Sequence, residues 1–268
     1  MAAFGMELRK STVMGKFDGY LICTDYDGTF AHKTEPVEVN LPAVRYFTQN
    51  GGRFTVATGR TVDFIREKKL TELINAPACL FNGSVVYDYA KGEQLRALHL
   101  PFSVGDALNI MQDQLFLADK VDIFDAPVSV SRLDISGLSA AQLEQKPLKL
   151  LFRFLTPELA DEFKAAAEEK LAGQCYISKS FPLCVELNPS EGTKGHALAF
   201  IKNSLPGVHT AIGVGDNDND RILLEYADVG AAPENAVDSV KELADMYLCP
   251  CTEGAIADLI RQLENQLK

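Results

Sequence analysis

Four short runs of apolar residues limit most strongly how this chain can fold. The runs are continuous or nearly so, whereas a strand with one exposed face would alternate apolar and polar residues. Continuous runs of this length are typical of strands that are buried on both faces of a parallel sheet. They lie at residues 20–24, 54–57, 78–81 and 210–214.

Segments with a helical spacing of apolar residues lie between or after these runs. The first of them stops at an Asn-Gly-Gly sequence at residues 50–52, which is a helix-ending signal. The alternation of strand and helix predicts a doubly wound, Rossmann-like α/β core built on a parallel sheet. The predicted helices of this core cover residues 41–49, 194–203, 220–226, 235–244 and 253–267.

The middle of the chain has more hairpin-like strands and longer gaps, which predicts an inserted α+β domain. One helix of the insert is predicted to begin after the N-cap Thr156, with Pro157 at its first position. We therefore predict a discontinuous core of residues 1–85 and 183–268, interrupted by an insert of residues 86–182. The remaining elements predicted in this region are a hairpin over 85–100, a helix over 103–117, and strands over 121–124, 149–155, 175–180 and 183–187.

The net charge of the chain limits the classes of partner that it can bind. With 26 Lys and Arg against 37 Asp and Glu, the formal net charge is -11, which disfavours nucleic acid as the main partner. Small phosphorylated ligands stay compatible with it, because a few donors fixed at one site can outweigh a long-range field. The composition gives no indication of oligomeric state.

Other features of the sequence predict a cytoplasmic location. No stretch approaches the roughly 18 to 20 consecutive apolar residues that a membrane span requires, so we expect no membrane partner. Residues 1–16 carry charges where a signal peptide would have an apolar block. The six cysteines are scattered, which is typical of a reducing compartment.

The strongest functional motif follows directly after the first apolar run. It reads Asp25-Tyr26-Asp27-Gly28-Thr29, and ligands of open α/β sheets gather at the carboxyl ends of strands. Two carboxylates at positions i and i+2 of an extended segment point to the same side. They repel each other unless a divalent cation lies between them. Taken alone, however, the motif could be an Asp-rich turn without a function.

Two further motifs provide groups that suit an anion. Thr58-Gly59 lies between the second apolar run and a helical segment, where a hydroxyl and free backbone N–H groups form an anion site. Such a turn, taken singly, is more often structural. Lys194 lies near a predicted helix start, where a lone lysine is usually a solvated charge that opposes the helix dipole. If Lys194 faces inward instead, it needs an anion as its partner.

The fourth apolar run ends in an acidic cluster. The sequence Gly-Asp-Asn-Asp-Asn-Asp occupies residues 215–220 and places three acids within five residues. Binding of a hard cation explains such a cluster better than unpaired carboxylates do.

The four motifs, in this order, resemble those of the haloacid dehalogenase (HAD) superfamily of phosphotransferases. Asp25-x-Asp27-Gly-Thr resembles the first motif of the family, Thr58 the second, Lys194 the third, and the cluster at 215–220 the fourth. An insert between the second and third motifs is similar to the α/β (C2-type) cap of the Cof-type sugar-phosphatase branch. Two short sequences, Ala-Thr-Gly-Arg at 57–60 and Asn-Gly at 82–83, also resemble that branch.

The resemblance implies a Mg²⁺-dependent phosphatase that acts through an aspartyl-phosphate intermediate. Asp25 would attack phosphorus, and Asp27 would protonate the leaving oxygen and then activate the hydrolytic water. Mg²⁺ would be held by Asp25, the Asp27 backbone carbonyl and Asp216. Asp220 would orient Lys194 or a metal-bound water, with direct ligation as the alternative. The phosphoryl oxygens would be held by the Tyr26 backbone N–H, Thr58, the Gly59 N–H, Lys194 and Asn219.

This chain departs from the family pattern at two positions. Tyr26 stands where the family often has an apolar residue, and Asn217 stands where it commonly has glycine. Of the polar residues nearby, His32 and Lys33 are interpreted as belonging to an exposed loop. Arg60 could contact the substrate or form an ion pair between elements, and the sequence does not decide between the two.

We expect the substrate to be a small phosphorylated metabolite, in particular a sugar phosphate, with specificity set by the insert. Two other functions fit the same motifs. One is a phosphomutase, and the other is a non-catalytic module that binds or accepts phosphate. Asp27 argues against the module, because accepting a phosphoryl group requires no general acid.

Overall fold

The structure is a computed structural model that describes residues 15–126 and 129–267. The charged N-terminal stretch of the sequence lies outside the described residues up to residue 14. The chain from residue 15 to residue 97 begins the core. Its strands and helices are β1 (Tyr20–Thr24), β2 (Ala31–His32), β3 (Glu35–Pro36), α1 (Asn40–Gln49), β4 (Arg53–Val56), α2 (Val62–Glu67), β5 (Ala78–Leu80), β6 (Val85–Asp88) and β7 (Glu93–Ala97).

The next segment forms a separate antiparallel sheet with its own helices. Its longest helix begins after Thr156, whose hydroxyl accepts from the Leu159 N–H, and has Pro157 in its first turn, as predicted. The elements are α3 (Val104–Ile110), β8 (Lys120–Ala126), β9 (Ser129–Leu133), α4 (Ala140–Leu143), β10 (Lys149–Arg153), α5 (Pro157–Lys170), β11 (Tyr176–Phe181) and β12 (Cys184–Asn188).

The last segment returns to the core and completes its parallel sheet. The helix predicted over 235–244 is a single turn in the structure, while the C-terminal helix is close to its predicted length. The elements are α6 (Lys194–Ser204), β13 (Thr210–Val214), α7 (Arg221–Tyr226), β14 (Val229–Pro233), α8 (Asp238–Lys241), β15 (Met246–Leu248) and α9 (Ala255–Gln266).

The core sheet is parallel and has the strand order β15-β14-β13-β1-β4. In its centre Ile22 lies beside Ile212 on one side and Phe54 on the other, and all three side chains are fully buried. With helices packed on the sheet, this arrangement confirms the predicted α/β class. Three of the four apolar runs thus form the three adjacent strands β13, β1 and β4.

The remaining apolar run, at residues 78–81, has a different role. It reaches the parallel sheet through one bridge between Ala57 and Cys79, and then pairs antiparallel with β6, which pairs with β7. Val85 and Tyr87 of this hairpin belong to the hydrophobic cluster of the core. The hairpin therefore packs with the core sheet and extends it.

The inserted sheet has the order β11-β12-β10-β8-β9 and is antiparallel throughout. Its hydrophobic cluster, which includes Phe152, Phe163 and Val185, is separate from those of the core. The division at residues 86 and 182 stays a prediction, and the strand pairing favours boundaries near residues 98 and 188. In the part of the chain that is described, no helix is long and apolar enough to cross a bilayer.

Candidate active site

The first and fourth motifs meet at the carboxyl end of the core sheet. The backbone N–H of Asp25, just after β1, donates to the Val214 carbonyl at the end of β13 at 2.7 Å. Gly28 follows with a φ of +92°, and a Cβ there would lie 2.4 Å from Oδ2 of Asp216. Glycine thus provides both the left-handed turn and the space that lets Asp216 approach the first motif. Thr29 fixes this approach, because its hydroxyl donates to Oδ1 of Asp216 at 2.7 Å.

The third motif faces inward. Lys194 begins α6 and is 1% exposed, and its Nζ lies 2.5 Å from an oxygen of Asp25 and 2.5 Å from an oxygen of Asp220. Burial alone would lower the pKa of this lysine, but the two carboxylates raise the pKa of Lys194 above its ordinary value. Lys194 therefore faces inward, and Asp25 and Asp220 are the anionic partners that a buried, charged lysine requires.

Three carboxylates converge around this lysine. One oxygen from each of Asp25, Asp216 and Asp220 lies within 4.8 Å of the others. Burial and the charge of Asp220 raise the pKa of Asp216 to about 7. Burial also raises the pKa of Asp25 well above its usual value, against the opposing effect of Lys194. The excess of negative charge, carried by oxygen ligands, fits a hard divalent cation.

The oxygens of these three acids differ in what they already bind. Oδ2 of Asp220 accepts the backbone N–H groups of Asp216 and Asn217 at 3.0 and 3.1 Å, and its Oδ1 accepts from Lys194. Within the described chain, Asp25 and Asp216 each have one carboxylate oxygen without a protein donor. A cation would therefore find free oxygens on Asp25 and Asp216 rather than on Asp220.

The second acid of the first motif is held by an arginine. Both oxygens of Asp27 accept hydrogen bonds from Arg60 at 2.9 Å. This hydrogen bond raises the pKa of Arg60. The guanidinium carbon lies 4.6 Å from the centre of the Phe64 ring and 5.9 Å from that of Phe181. Of the two interpretations that the sequence left open for Arg60, the ion pair is present, although the side chain also borders the cavity described below.

The second motif forms the turn expected after β4. Thr58 is buried, and its hydroxyl accepts the backbone N–H of Arg60 at 3.2 Å. A Cβ at Gly59 would lie 3.0 Å from Oδ1 of Asn82. Asn82 itself has a φ of +59° and lies in the turn after β5. The two turns after neighbouring strands therefore pack directly against each other.

The remaining residues that the sequence analysis discussed are either buried near the site or exposed on the surface. Asn219 is 8% exposed, and its amide donates to the Ser180 hydroxyl at 3.3 Å. The side chain of Tyr26 is buried and its hydroxyl donates to the Thr34 carbonyl, so its backbone rather than its ring is available at the site. His32, which ends the short strand β2, and Lys33, in the turn after it, are both exposed.

A cavity of about 430 Å³ lies between the core and the inserted sheet. We call its two sides the core wall and the cap wall. The core wall includes Asp25, Asp27, Thr58, Gly59, Asn219 and Asp220. The cap wall includes Asp122, Phe124, Arg132, Lys149, Arg153 and Glu186.

The cap wall contains a buried ion pair that reaches the core. Nζ of Lys149 donates to Oε1 of Glu186 at 2.9 Å and to the Gly59 carbonyl at 3.3 Å, and both charged side chains are 2% exposed. The other oxygen of Glu186 accepts from Asn82 at 2.6 Å and from Ser180 at 2.6 Å. Although burial opposes it, Lys149 and these hydrogen bonds keep the pKa of Glu186 below its usual value.

The charged residues of the cap wall were missed by the sequence analysis. A signal was present, since Asp122 interrupts a short apolar run and Lys149 begins a strongly apolar one. A charge inside a buried strand needs a partner, but the partners come from other strands of an antiparallel sheet. The sequence alone did not give that pairing.

A parallel α/β sheet with acids and a lysine at its carboxyl edge, facing an inserted α+β domain across a cavity, defines a phosphoryl-transfer enzyme of the capped α/β type. A family model described as haloacid dehalogenase-like hydrolase matches residues 22–125 and 124–260. The chain belongs to this family. It is a hydrolase of the phosphatase type.

Relatives agree with this assignment. The chain is 25% identical over 244 residues to the 5-amino-6-(5-phospho-D-ribitylamino)uracil phosphatase YcsE of Bacillus subtilis, covering 90% of this chain and 94% of that protein. It is 24% identical over 266 residues to the pyridoxal phosphate phosphatase YbhA of Escherichia coli, covering 90% and 97%. The fold is similar to that of the HAD subclass IIB sugar phosphatase BT4131, with a TM-score of 0.73 at 18% identity, covering 93% and 100%.

Proposed function

We propose that this protein is a Mg²⁺-dependent phosphomonoesterase that hydrolyses small phosphorylated metabolites, with sugar phosphates as the first class to test. One observation carries the proposal. Asp25, Asp216 and Asp220 converge around the buried Lys194 at the edge of a cavity of metabolite size.

Asp25 is the proposed nucleophile. One carboxylate oxygen of Asp25 attacks phosphorus, the bond from phosphorus to the leaving oxygen breaks, and Asp27 supplies the proton that the leaving oxygen needs. Water then attacks the aspartyl phosphate, Asp27 takes a proton from that water, and inorganic phosphate leaves. Both oxygens of Asp27 accept from Arg60, so this ion pair must open at least partly before Asp27 donates.

The phosphoryl oxygens would be held by groups from all four motifs. Thr58 and the Gly59 N–H lie at the turn after β4, Lys194 at the start of α6, and Asn219 after β13. The Tyr26 N–H lies between the two acids of the first motif. Fixed donors of this kind stabilise the charge of the transition state more than that of the substrate.

The residues present fit a magnesium ion. Asp25, Asp216 and the Asp27 backbone carbonyl would hold it, and Asp220 would position Lys194, since both oxygens of Asp220 already have protein donors. When bound, the ion supplies positive charge that lets an anionic nucleophile approach an anionic phosphoryl group.

The test is release of phosphate from p-nitrophenyl phosphate and a sugar-phosphate panel, with Mg²⁺ and with EDTA. We expect activity that needs the metal, and a fall of at least about 10³-fold in kcat for Asp25→Asn, as for other removed nucleophiles. Asp63→Asn is the matched control, because Asp63 is paired with Arg66 on the surface and should leave kcat unchanged.

Three outcomes would contradict the proposal. Equal activity of Asp25→Asn would remove the assigned nucleophile. Isomerisation of a sugar phosphate that exceeds phosphate release would identify a phosphomutase. Tight binding of phosphate esters without turnover would identify a binding module.

A further inference from the structure

The cap wall contains a charge cluster that the proposed chemistry does not use. Asp122 on β8 is 1% exposed and lies opposite Arg132 on β9 in the strand register. Its Oδ1 accepts from Nε of Arg132 at 3.0 Å, and its Oδ2 accepts from Nη2 of Arg153 at 2.6 Å. One buried carboxylate thus holds two arginines from neighbouring strands.

Asp122 does not accept hydrogen bonds from all the N–H donors of the two guanidinium groups. Each guanidinium carries five N–H donors. Arg132 uses Nε and one Nη on Asp122, and in the described chain its other Nη has no acceptor. Among the described residues, the remaining Nη of Arg153 has only the weak Sγ acceptor of Cys184, at 3.8 Å. Both arginine side chains border the cavity and stay 58% and 34% exposed.

The charges of the cap wall leave a positive excess. Lys149 is neutralised by Glu186, whereas Arg132 and Arg153 share the single carboxylate of Asp122. A planar guanidinium with free N–H groups matches the oxygens of a carboxylate or a phosphate. Asp122 also holds both arginine side chains in place, so less side-chain conformational entropy is lost when an anion binds to them.

We infer that Arg132 and Arg153 bind a second anionic group, located on the leaving group of the substrate. The preferred substrate is then a phosphomonoester that also carries a carboxylate or a second phosphate. This inference rests on the proposed function, because it assigns the other end of the substrate to the core wall.

Matched pairs of esters test the inference. The first pair is 3-phosphoglycerate and glycerol 3-phosphate, which differ by a carboxylate in place of a hydroxymethyl group. The second pair is fructose 1,6-bisphosphate and fructose 6-phosphate. Since one charge-assisted hydrogen bond is worth about tenfold or more, we expect kcat/KM to be at least about tenfold higher for the doubly anionic member of one pair. Which pair shows the preference distinguishes carboxylate from phosphate.

Variants locate the preference. In Arg132→Gln, the kcat/KM values of the two members of the preferred pair should differ by no more than about threefold. The value for the singly anionic member should not change. Arg132→Lys keeps a charge beside Asp122 and should retain part of the preference, which guards against a folding defect. Lys164→Gln is the matched control, because it removes one positive charge from α5 outside the cavity and should leave the preference intact.

The results can overturn the inference independently of the proposed function. Equal kcat/KM within both pairs, or a preference that persists in Arg132→Gln, would overturn it. If no ester is hydrolysed at all, the proposed function fails. Calorimetric titration with 3-phosphoglycerate and with glycerol 3-phosphate then still decides the inference, because equal affinities would contradict it and tighter binding of the acid would support it.

Discussion

The two walls of the cavity have opposite electrostatic designs. On the core wall, acids outnumber cations, and burial raises the pKa of Asp25 and of the neighbouring Asp216. On the cap wall, cations outnumber acids, and Lys149 with its neighbouring hydrogen-bond donors lowers the pKa of Glu186. The core wall is electrostatically incomplete without a cation, whereas the cap wall is balanced by its own residues apart from one excess arginine.

This difference separates the two tasks of the enzyme. A phosphoryl group is common to every substrate of a phosphatase, and the core wall carries the groups proposed to bind and transfer it. The leaving group differs between substrates, and it would face the cap wall. Because the core charges follow the strands in loops while the cap charges lie within strands, the two walls also respond differently to substitution.

The largest expected effect is a pH dependence of the metal-free protein. The pKa of Asp216 is about 7 in the folded protein against 3.8 ordinarily, so ionisation of Asp216 is less favourable in the folded chain. This contribution to the free energy of unfolding therefore decreases as pH rises from about 4 to about 7, by about 4 kcal/mol at 1.4 kcal/mol per pKa unit. Asp25 acts in the same direction.

Urea denaturation with EDTA at pH 5.5 and pH 8 measures this effect. We expect a lower free energy of unfolding at pH 8, and a larger stabilisation by added Mg²⁺ at pH 8 than at pH 5.5. Asp216→Asn should reduce the difference between the free energies of unfolding at the two pH values. Glu186 does not confuse the comparison, since its lowered pKa costs stability only as pH falls below about 4.5. A metal-free protein that is more stable at pH 8 would contradict the prediction.

The second prediction breaks the balance of the cap wall. Lys149→Met leaves Glu186 buried and without its cation, and we expect a loss of about 3 kcal/mol in the free energy of unfolding. The double variant Lys149→Met/Glu186→Gln should recover most of this loss, because no buried charge remains. Added Mg²⁺ should not restore the single variant.

The matched control for this prediction is Lys179→Met. Lys179 pairs with the exposed Asp161, so its loss should change the free energy of unfolding by less than about 1 kcal/mol. If Lys149→Met were as mild as the control, or if the double variant were no more stable than the single one, the buried pair would not stabilise the cap wall as argued.

The same contrast explains what could be predicted from the sequence. Asp25, Thr58, Lys194 and Asp216 follow buried strands or begin a helix, and the carboxyl ends of parallel strands meet at one edge. For Asp25, Thr58 and Asp216, the position after a strand indicated a common edge of the sheet. For Lys194 the residues left a solvated and an inward orientation open, and the resemblance to the HAD family implied the inward one, which the structure shows. The roles assigned to them stay predictions.

The rest required information that a single sequence does not contain. Asp122 and Arg132 meet through the register of β8 and β9, and the sequence analysis did not predict β9. Strand β14 was missed because Gly230 and Ala231 lack the bulky apolar side chains of the other strands. A Cβ at position 230 would lie 3.2 Å from Leu224 of α7. The packing of β14 against this helix therefore explains why glycine occupies that position.

The smallest expected effect concerns Arg60, which lies between the two walls over Phe64 and near Phe181. If Arg60 serves mainly to orient Asp27, then Arg60→Gln should lower kcat about tenfold for glycerol 3-phosphate, whose alkoxide needs a proton, and only slightly for p-nitrophenyl phosphate. Arg66→Gln is the control, because Arg66 pairs with Asp63 on the same helix. An equal loss on both esters would instead assign Arg60 to substrate binding, and the core wall would then carry a cation for the substrate as the cap wall does.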